Sequence, residues 1–500
     1  MIAKHRSFCG GYRFRNFEAS PQDRLTQAGI PSKVTITLMQ GFSDEVPCMV
    51  RPGDTVKAGQ IIGRDDETVS SPVHASISGK VVNVGKLAYL GNKVAAVTIA
   101  SDGTDRWQPL EGRSARWDSL TAEQIEKLVY VSGASGAGRA GIPTRFKSSI
   151  ISCGEVEDVI IHGVESEMYG PLSGTLLKGE RLAQFANGVK ILRKMLPGAG
   201  FHVVLNAERE ELIAGVTKAL AENGDSRAGC PCHVRGLEPR YPADYDEVLV
   251  AAVLGRVFPA GHMAANIGVI VLDIQDVLHV YEAVVEGKPV IERTVAMCGP
   301  GFSENPHVRV RIGAPLEHLA AGNVRQDKAW RFLRNSALTG ERFSEMTQPI
   351  DRNCDAVIAV HENDGREMFA FVRPGARKDS YTPTFLSALL GAKLTKRGET
   401  NLHGEERPCI SCGFCEEVCP ARVMPHHLFH YVERKIIDET LLRFKIHDCI
   451  DCNLCAYVCP SKIALGRHIK EGKDKLIDEG LTCPRPAFAL KGIAAKGDSQ

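Results

Sequence analysis

Two stretches of the chain repeat one spacing of sulfur. The first is Cys409, Cys412, Cys415 and Cys419 with Pro420 after it; the second is Cys449, Cys452, Cys455 and Cys459 with Pro460 after it. Each reads C-x2-C-x2-C-x3-C-P, in which three thiolates two residues apart wrap one cube and the fourth cysteine ligates the cluster of the other run. Cys409, Cys412, Cys415 and Cys459 are therefore expected to hold one 4Fe-4S centre, and Cys449, Cys452, Cys455 and Cys419 a second. Soft thiolates suit iron-sulfur clusters. Two tetrahedral zinc sites would use four sulfurs each but give no reason for the same pattern to appear twice. Two cubes in one small fold would pass single electrons.

A second candidate is the run Gly133–Thr144, GASGAGRAGIPT, followed by Arg145 and Lys147. Gly136, Gly138 and Gly141 let backbone N–H groups approach a phosphate or a flat ring, with Arg139 and Thr144 as polar partners. Such a loop is as often a plain connection. Glu165 and Glu167 come directly after the expected strand Val156–His162, where carboxylates can accept ribose hydroxyls; a solvated acidic turn is the plainer alternative. Of Cys9, Cys48, Cys153, Cys230, Cys232, Cys298, Cys354 and Cys483, most read by default as small core residues, Cys483 is assigned no role, and the pair around Pro231 has no second pair to complete a metal site. No Ser-His-Asp or metal-water constellation appears, so no catalytic residue is assigned.

These residues need several domains to hold them, because 500 residues exceed one core. A 43% hydrophobic and 24% charged composition excludes a disordered or fibrous chain, and a net charge of +1 gives no bulk attraction to nucleic acid or anionic lipid. Residues 1–14 lack the apolar run of a secretory signal, and Ile267–Leu272 is too short to span a bilayer, so a cytoplasmic location is expected. The fold class expected is multidomain α/β and α+β. Residues 1–110, with Pro-Gly and Ser-Gly turns between Val/Ile runs, form a β barrel-sandwich hybrid resembling biotinyl and lipoyl carriers. The turn Ser70–Ala75 has no lysine for covalent attachment. Residues 120–288 alternate helix and strand: Glu123–Val131, Gly188–Leu196, Glu211–Glu222 and Asp276–Val285 as helices, Phe201–Asn206 and Gly268–Leu272 as further strands. A β-grasp (SLBB-like) module follows at 289–345, then a connecting segment at 346–400. A double-cluster ferredoxin-like helical domain occupies 401–485, with a helix over His427–Ile437, and 486–500 is a tail.

That order of modules resembles the C subunit of Rnf electron-transport complexes over essentially the whole chain. Gly136–Thr144 is similar to the flavin loop that this family shares with the NADH-oxidising subunit of respiratory complex I. Glu165-Ser166-Glu167 is similar to the acidic stretch that follows it, and Val285–Arg293 to the lead into the β-grasp module. The resemblance implies two 4Fe-4S clusters, FMN, NADH as substrate, and membrane-embedded and flavin-carrying partner subunits, with soluble ferredoxin or NADH as electron source and no nucleic acid. It implies a peripheral place on the inner face of the cell membrane, where an NADH (or ferredoxin):acceptor oxidoreductase moves ions. Three departures stand out. Arg139 replaces a loop glycine, and Arg240–Asp246 replaces the glycines of the nicotinamide side. Phe258–His262, Cys298-Gly299-Pro300, Asn305–Arg309 and Tyr381–Leu386 resemble instead the A subunit of sodium-translocating NADH:quinone oxidoreductase. Two readings follow: an electron-input subunit that takes electrons from NADH through FMN, and a non-catalytic docking and relay subunit that has lost flavin and NADH.

Overall fold

The computed structural model describes residues 7–40, 45–89, 91–221, 232–362, 377–381, 390, 393–400 and 406–481. The expected features at Cys230, Pro231, Cys483, 382–386 and 486–500 lie outside them. After a short strand β1 (Leu25–Gln27) come β2 (Lys33–Thr37), β3 (Thr55–Val56), β4 (Ile61–Gly63), β5 (Val73–His74), β6 (Gly79–Tyr89) and β7 (Asn92–Ser101). They make a sheet of order β2-β7-β6-β3 facing the ribbon β4-β5. Val34, Ile36, Val81, Val97 and Ile99 point inward at every second position to one core. The loop around Ser70 and Ser71, where a carrier would present its lysine, instead docks on the next domain.

That domain begins with α1 (Ala122–Val131), started by a capping box between Thr121 and Gln124. It continues β8 (Asp158–Gly163), α2 (Ser173–Leu176), α3 (Glu180–Met195), β9 (Gly200–Asn206), α4 (Glu210–Ala221), β10 (Cys232–Leu237), α5 (Asp246–Leu254), β11 (Val269–Asp273) and α6 (Ile274–Tyr281). The strands lie in the order β10-β9-β8-β11, all parallel. Val159, Ile161, Phe201 and Val203 pack toward α1, α3 and α6, while Ile160, Val204 and Val271 pack toward α5, so the sheet is covered on both faces. The sequence reading missed β10, which is only partly apolar, and α5, whose continuous apolar run hides its period. It also started α3 eight residues late, because Glu180–Asn187 presents a largely polar face.

The third module is a five-stranded mixed sheet. It comprises β12 (Glu292–Cys298), β13 (His307–Arg311), the short α7 (Leu316–Leu319), β14 (Trp330–Arg334) and β15 (Ala356–His361), in the order β1-β13-β12-β15-β14. The sheet thus runs past 289–345 in both directions. It recruits β1 from the N-terminal stretch and, from the expected connecting segment, β15, whose buried Ala-Val-Ile-Ala-Val pairs in parallel with β12. The cysteine-rich part has α8 (Phe414–Glu417), α9 (Pro425–Glu433), α10 (Glu439–Arg443), α11 (Leu454–Val458) and α12 (Leu465–Asp478). Leu428 and Val432 of α9 pack on Ile469 and Leu476 of α12. Gly472 permits that crossing, since a Cβ there would stand 2.7 Å from Val432 Cγ2.

One buried arginine joins the second and third modules. Arg293 of β12 pairs with Asp273 at the end of β11, with Asp276 of α6 at 3.5 Å and with Asp355 before β15, its side chain only 4% exposed. Removing the cation leaves the buried Asp276 and the half-buried Asp273 and Asp355 without their partner, so Arg293→Met is expected to cost about 3 kcal/mol. A clearly lowered thermal midpoint is the expected result, and a midpoint equal to that of the native chain would contradict it.

Candidate functional site

The two cysteine runs fold alike. Gly413 and Asn453 each take a left-handed conformation (φ 78° and 58°) that turns the chain into α8 or α11, and each helix carries the third cysteine of its run. The fourth cysteines cross over. Cys459 lines one small cavity with Cys409, Cys412 and Cys415, while Cys419 lies beside Cys449, Cys452 and Cys455. Each set has the four thiols that a cube requires and lies in a partly enclosed space, so the residues present fit the group. Among the described residues no three His, Cys, Asp or Glu side chains converge as ligands of a single metal ion.

Burial and the neighbouring thiols push Cys415 and Cys452 up to about 12 and Cys449 up to about 11. Thiols gathered in this way keep their protons at neutral pH until a metal displaces them. The two sets differ in setting. Cys412 is exposed and its neighbour Ile410 is 67% exposed, which puts the first set at the surface. The second set faces inward: Gly10 packs against Cys419, and Tyr241 of the α/β domain reaches the backbone of Cys452.

The glycine loop is closed from both sides. Ser71 Oγ of the sandwich and Arg352 of the third module both donate to the Gly133 carbonyl, at 2.9 and 2.6 Å. A Cβ on Gly138 would lie 2.3 Å from Val271 O and one on Gly141 2.1 Å from Ser148 O, so these glycines serve close packing of the loop on protein. Thr144 spends its hydroxyl on Phe146 and Ser148. Arg139 turns away to Glu247 (3.2 Å) and Asp246 at the start of α5, lining a cleft of about 900 Å³ that runs to Cys449. Glu165 accepts from Ser173 N–H and Asn206, and the half-buried Glu167 accepts from Ser336, its carboxyl held well above the usual range by burial and Asp244. Gly136, Gly138, Arg139 and Gly141, then, line one cavity and Glu165 and Glu167 another; Thr144 lines neither.

The second cavity is where an α/β sheet receives anions, at the strand ends and the α6 N-terminus. Here that place is taken by carboxylates. Asp273 caps α6 with its own side chain, and Glu165, Glu167, Asp244 and Asp355 complete the lining. The nearby buried arginine, Arg293, is engaged with Asp273, Asp276 and Asp355. A doubly charged flavin phosphate does not fit a crevice lined by these carboxylates.

Three matches to known families follow the same order of domains. Residues 6–104 match the RnfC barrel sandwich hybrid domain, 129–282 the Nuo51 FMN-binding domain and 408–463 the 4Fe-4S dicluster domain. The chain is 28% identical to the C subunit of the ion-translocating oxidoreductase complex of Pseudomonas aeruginosa, over 86% of this chain and 50% of that protein. It is 25% identical to the C subunit of the proton-translocating ferredoxin:NAD(+) oxidoreductase complex of Clostridium ljungdahlii (83% of this chain, 81% of that one). It is 26% identical to the C subunit of the Na(+)-translocating ferredoxin:NAD(+) oxidoreductase complex of Acetobacterium woodii (88% and 90%). The chain spans about half the length of the Pseudomonas relative. Fold and sites define an iron-sulfur protein built on a flavin-domain scaffold. These three domains in this order, together with the C-subunit relatives, support an RnfC-type subunit.

Of the stretches likened to the sodium-translocating A subunit, Phe258–His262 lines the large cleft, and Tyr381 lies edge-on against Phe414. The sequence reading missed the clamps on the glycine loop, Ser71 and Arg352, and the contacts of Tyr241 and Tyr245. The only signal for the tyrosines was their four-residue spacing in Tyr-Pro-Ala-Asp-Tyr.

His74 sits fully buried against Gly133 at the sandwich contact, and burial lowers its pKa to about 4. Between about pH 6.5 and 4 the unfolded chain binds a proton that the folded one refuses, so this group's contribution to stability falls as pH falls. The stability advantage of the native chain over His74→Gln should shrink by about 3 kcal/mol from pH 7 to 4. A difference that stays constant with pH would contradict the buried neutral imidazole.

Proposed function

We propose that the chain is the peripheral relay subunit of an ion-translocating oxidoreductase complex, holding one 4Fe-4S cluster in each cysteine set and moving electrons one at a time. The observation that carries this reading is the crossing of Cys419 and Cys459, which ties the two sets together, one at the surface and one against the α/β domain. When bound, each cluster supplies a one-electron couple whose potential the surrounding hydrogen bonds, charges and solvent set. The chain's own work is to hold the thiols, to shield the inner set and to leave the Cys409–Gly413 turn open to a partner.

The relatives' names support ferredoxin or NADH as electron source and other members of the complex, membrane-embedded and flavin-carrying, as partners. The place proposed for the chain is peripheral, on the inner face of the membrane; among the described residues no helix is long and apolar enough to cross one. The five-stranded mixed sheet is the β-grasp-like module of this reading.

A second reading, electron input from NADH through FMN at Gly136–Thr144, is favoured by the match of residues 129–282 to an FMN-binding domain. The closed loop and the acidic crevice favour the relay without flavin. Denaturing the anaerobically purified chain and reading the fluorescence of the supernatant separates the two. The relay reading predicts no stoichiometric FMN and no NADH-to-viologen activity from a chain that still takes up two electrons. One FMN per chain together with viologen reduction would establish the input reading.

A further inference from the structure

The inner turn Cys452-Asn453-Leu454 is held from outside its own domain at two points. Tyr241, fully buried at the foot of α5, donates its hydroxyl to the Cys452 carbonyl at 2.7 Å. The Asn453 side-chain amide donates to the Leu338 carbonyl of the third module at 3.0 Å. A phenol has one proton. With that of Tyr241 given to Cys452, the 3.0 Å contact between Tyr241 and Tyr245 takes its proton from Tyr245, and the Thr339 hydroxyl at 3.2 Å donates in turn to Tyr245. Three hydroxyls from two modules thus line up with their positive ends toward the inner turn, the buried Tyr241 nearest to it, the half-buried Tyr245 behind, and the exposed Thr339 at the solvent end.

The same turn aims a donor at the cluster itself. The left-handed Asn453 (φ 58°) brings the Leu454 N–H onto the Cys452 sulfur. Tyr241, Val418, Cys452, Leu454 and Val458 pack as one apolar group around it. The corresponding turn of the first run, Cys412-Gly413-Phe414, has its cysteine exposed.

Resting on the reading of the two sets as clusters, we propose that Tyr241, backed by Tyr245, is a positioning residue that raises the reduction potential of the inner cluster. Its hydroxyl fixes the Cys452 peptide so that the Leu454 N–H stays on the sulfur, and it points a positive dipole end at a centre that gains negative charge on reduction. Hydrogen bonds to cluster sulfurs and nearby dipoles are established determinants of such potentials. The α/β domain, on this account, tunes the wire through the tyrosine it presses against it.

The test is an EPR-monitored redox titration of the full chain, reconstituted anaerobically, with iron counted first. In Tyr241→Phe the reduced-to-oxidised ratio of the inner cluster at a fixed potential should fall about tenfold, a downward shift of about 59 mV for a one-electron couple. The outer cluster should stay at its native value. Asn453→Gly, which keeps the left-handed turn and removes the amide, should shift the same cluster in the same direction by less. A Tyr241→Phe chain with eight irons and both potentials unchanged overturns the proposal. If that variant loses iron, Tyr245→Phe decides: a downward shift of the inner cluster supports the proposal and an unchanged one overturns it. Fewer than eight irons in the native chain would instead be a failure of the cluster reading on which the proposal rests.

Discussion

A run of four cysteines in this pattern cannot close a cube by itself, because three sulfurs wrap one corner of space and the fourth is carried past it by the following turn. The chain resolves this by exchange: Cys419 stands with Cys449, Cys452 and Cys455, and Cys459 with Cys409, Cys412 and Cys415. Neither set can form without the other run, so α8 through α12 fold as one unit and the two sets are held side by side. The remaining modules are arranged around that unit. Residues 10–17 thread between it and the α/β domain, with Phe14 set edge-on against Tyr457 of the second run and Gly11 N–H bonded to Val418 O. The hydroxyls of the half-buried Tyr12 and Tyr457, together with Lys396, converge on Asp379.

The α/β domain illustrates how a scaffold can keep its fold while its ligand place changes. Its parallel sheet, glycine loop and acidic loop are all present. The loop, however, is clamped by Ser71 and Arg352, and carboxylates fill the anion position at the α6 N-terminus. A place that in an anion site needs open backbone and a positive dipole is here a rigid joint between modules, and Arg293 with its three aspartates seals the other side of the joint.

Much of this was legible in the residues. The cysteine spacing named both groups of four and the exchange of their fourth members, because the pattern is local and repeats. The Val/Ile runs between Pro-Gly and Ser-Gly turns marked the sandwich, and the helix-strand alternation marked the parallel sheet. What was not legible depends on contacts distant in sequence. Leu25–Gln27 and Ala356–His361 join one sheet across more than three hundred residues, and short strands without flanking partners look like connectors. Gly136, Gly138 and Gly141 looked like a cradle for a phosphate, yet glycine serves equally well where backbone meets backbone; only the nearness of Val271 O and Ser148 O decides between the two. The role of Tyr241 depends on a carbonyl 211 positions away.

The central claim is that the two crossed cysteine sets each hold a four-iron cube, and elemental analysis of the anaerobically purified chain tests it most directly. The account predicts eight irons and eight acid-labile sulfides per chain, with Cys419→Ser disturbing the inner centre and Cys459→Ser the outer one. Fewer than eight irons, or zinc in their place without labile sulfide, would contradict it.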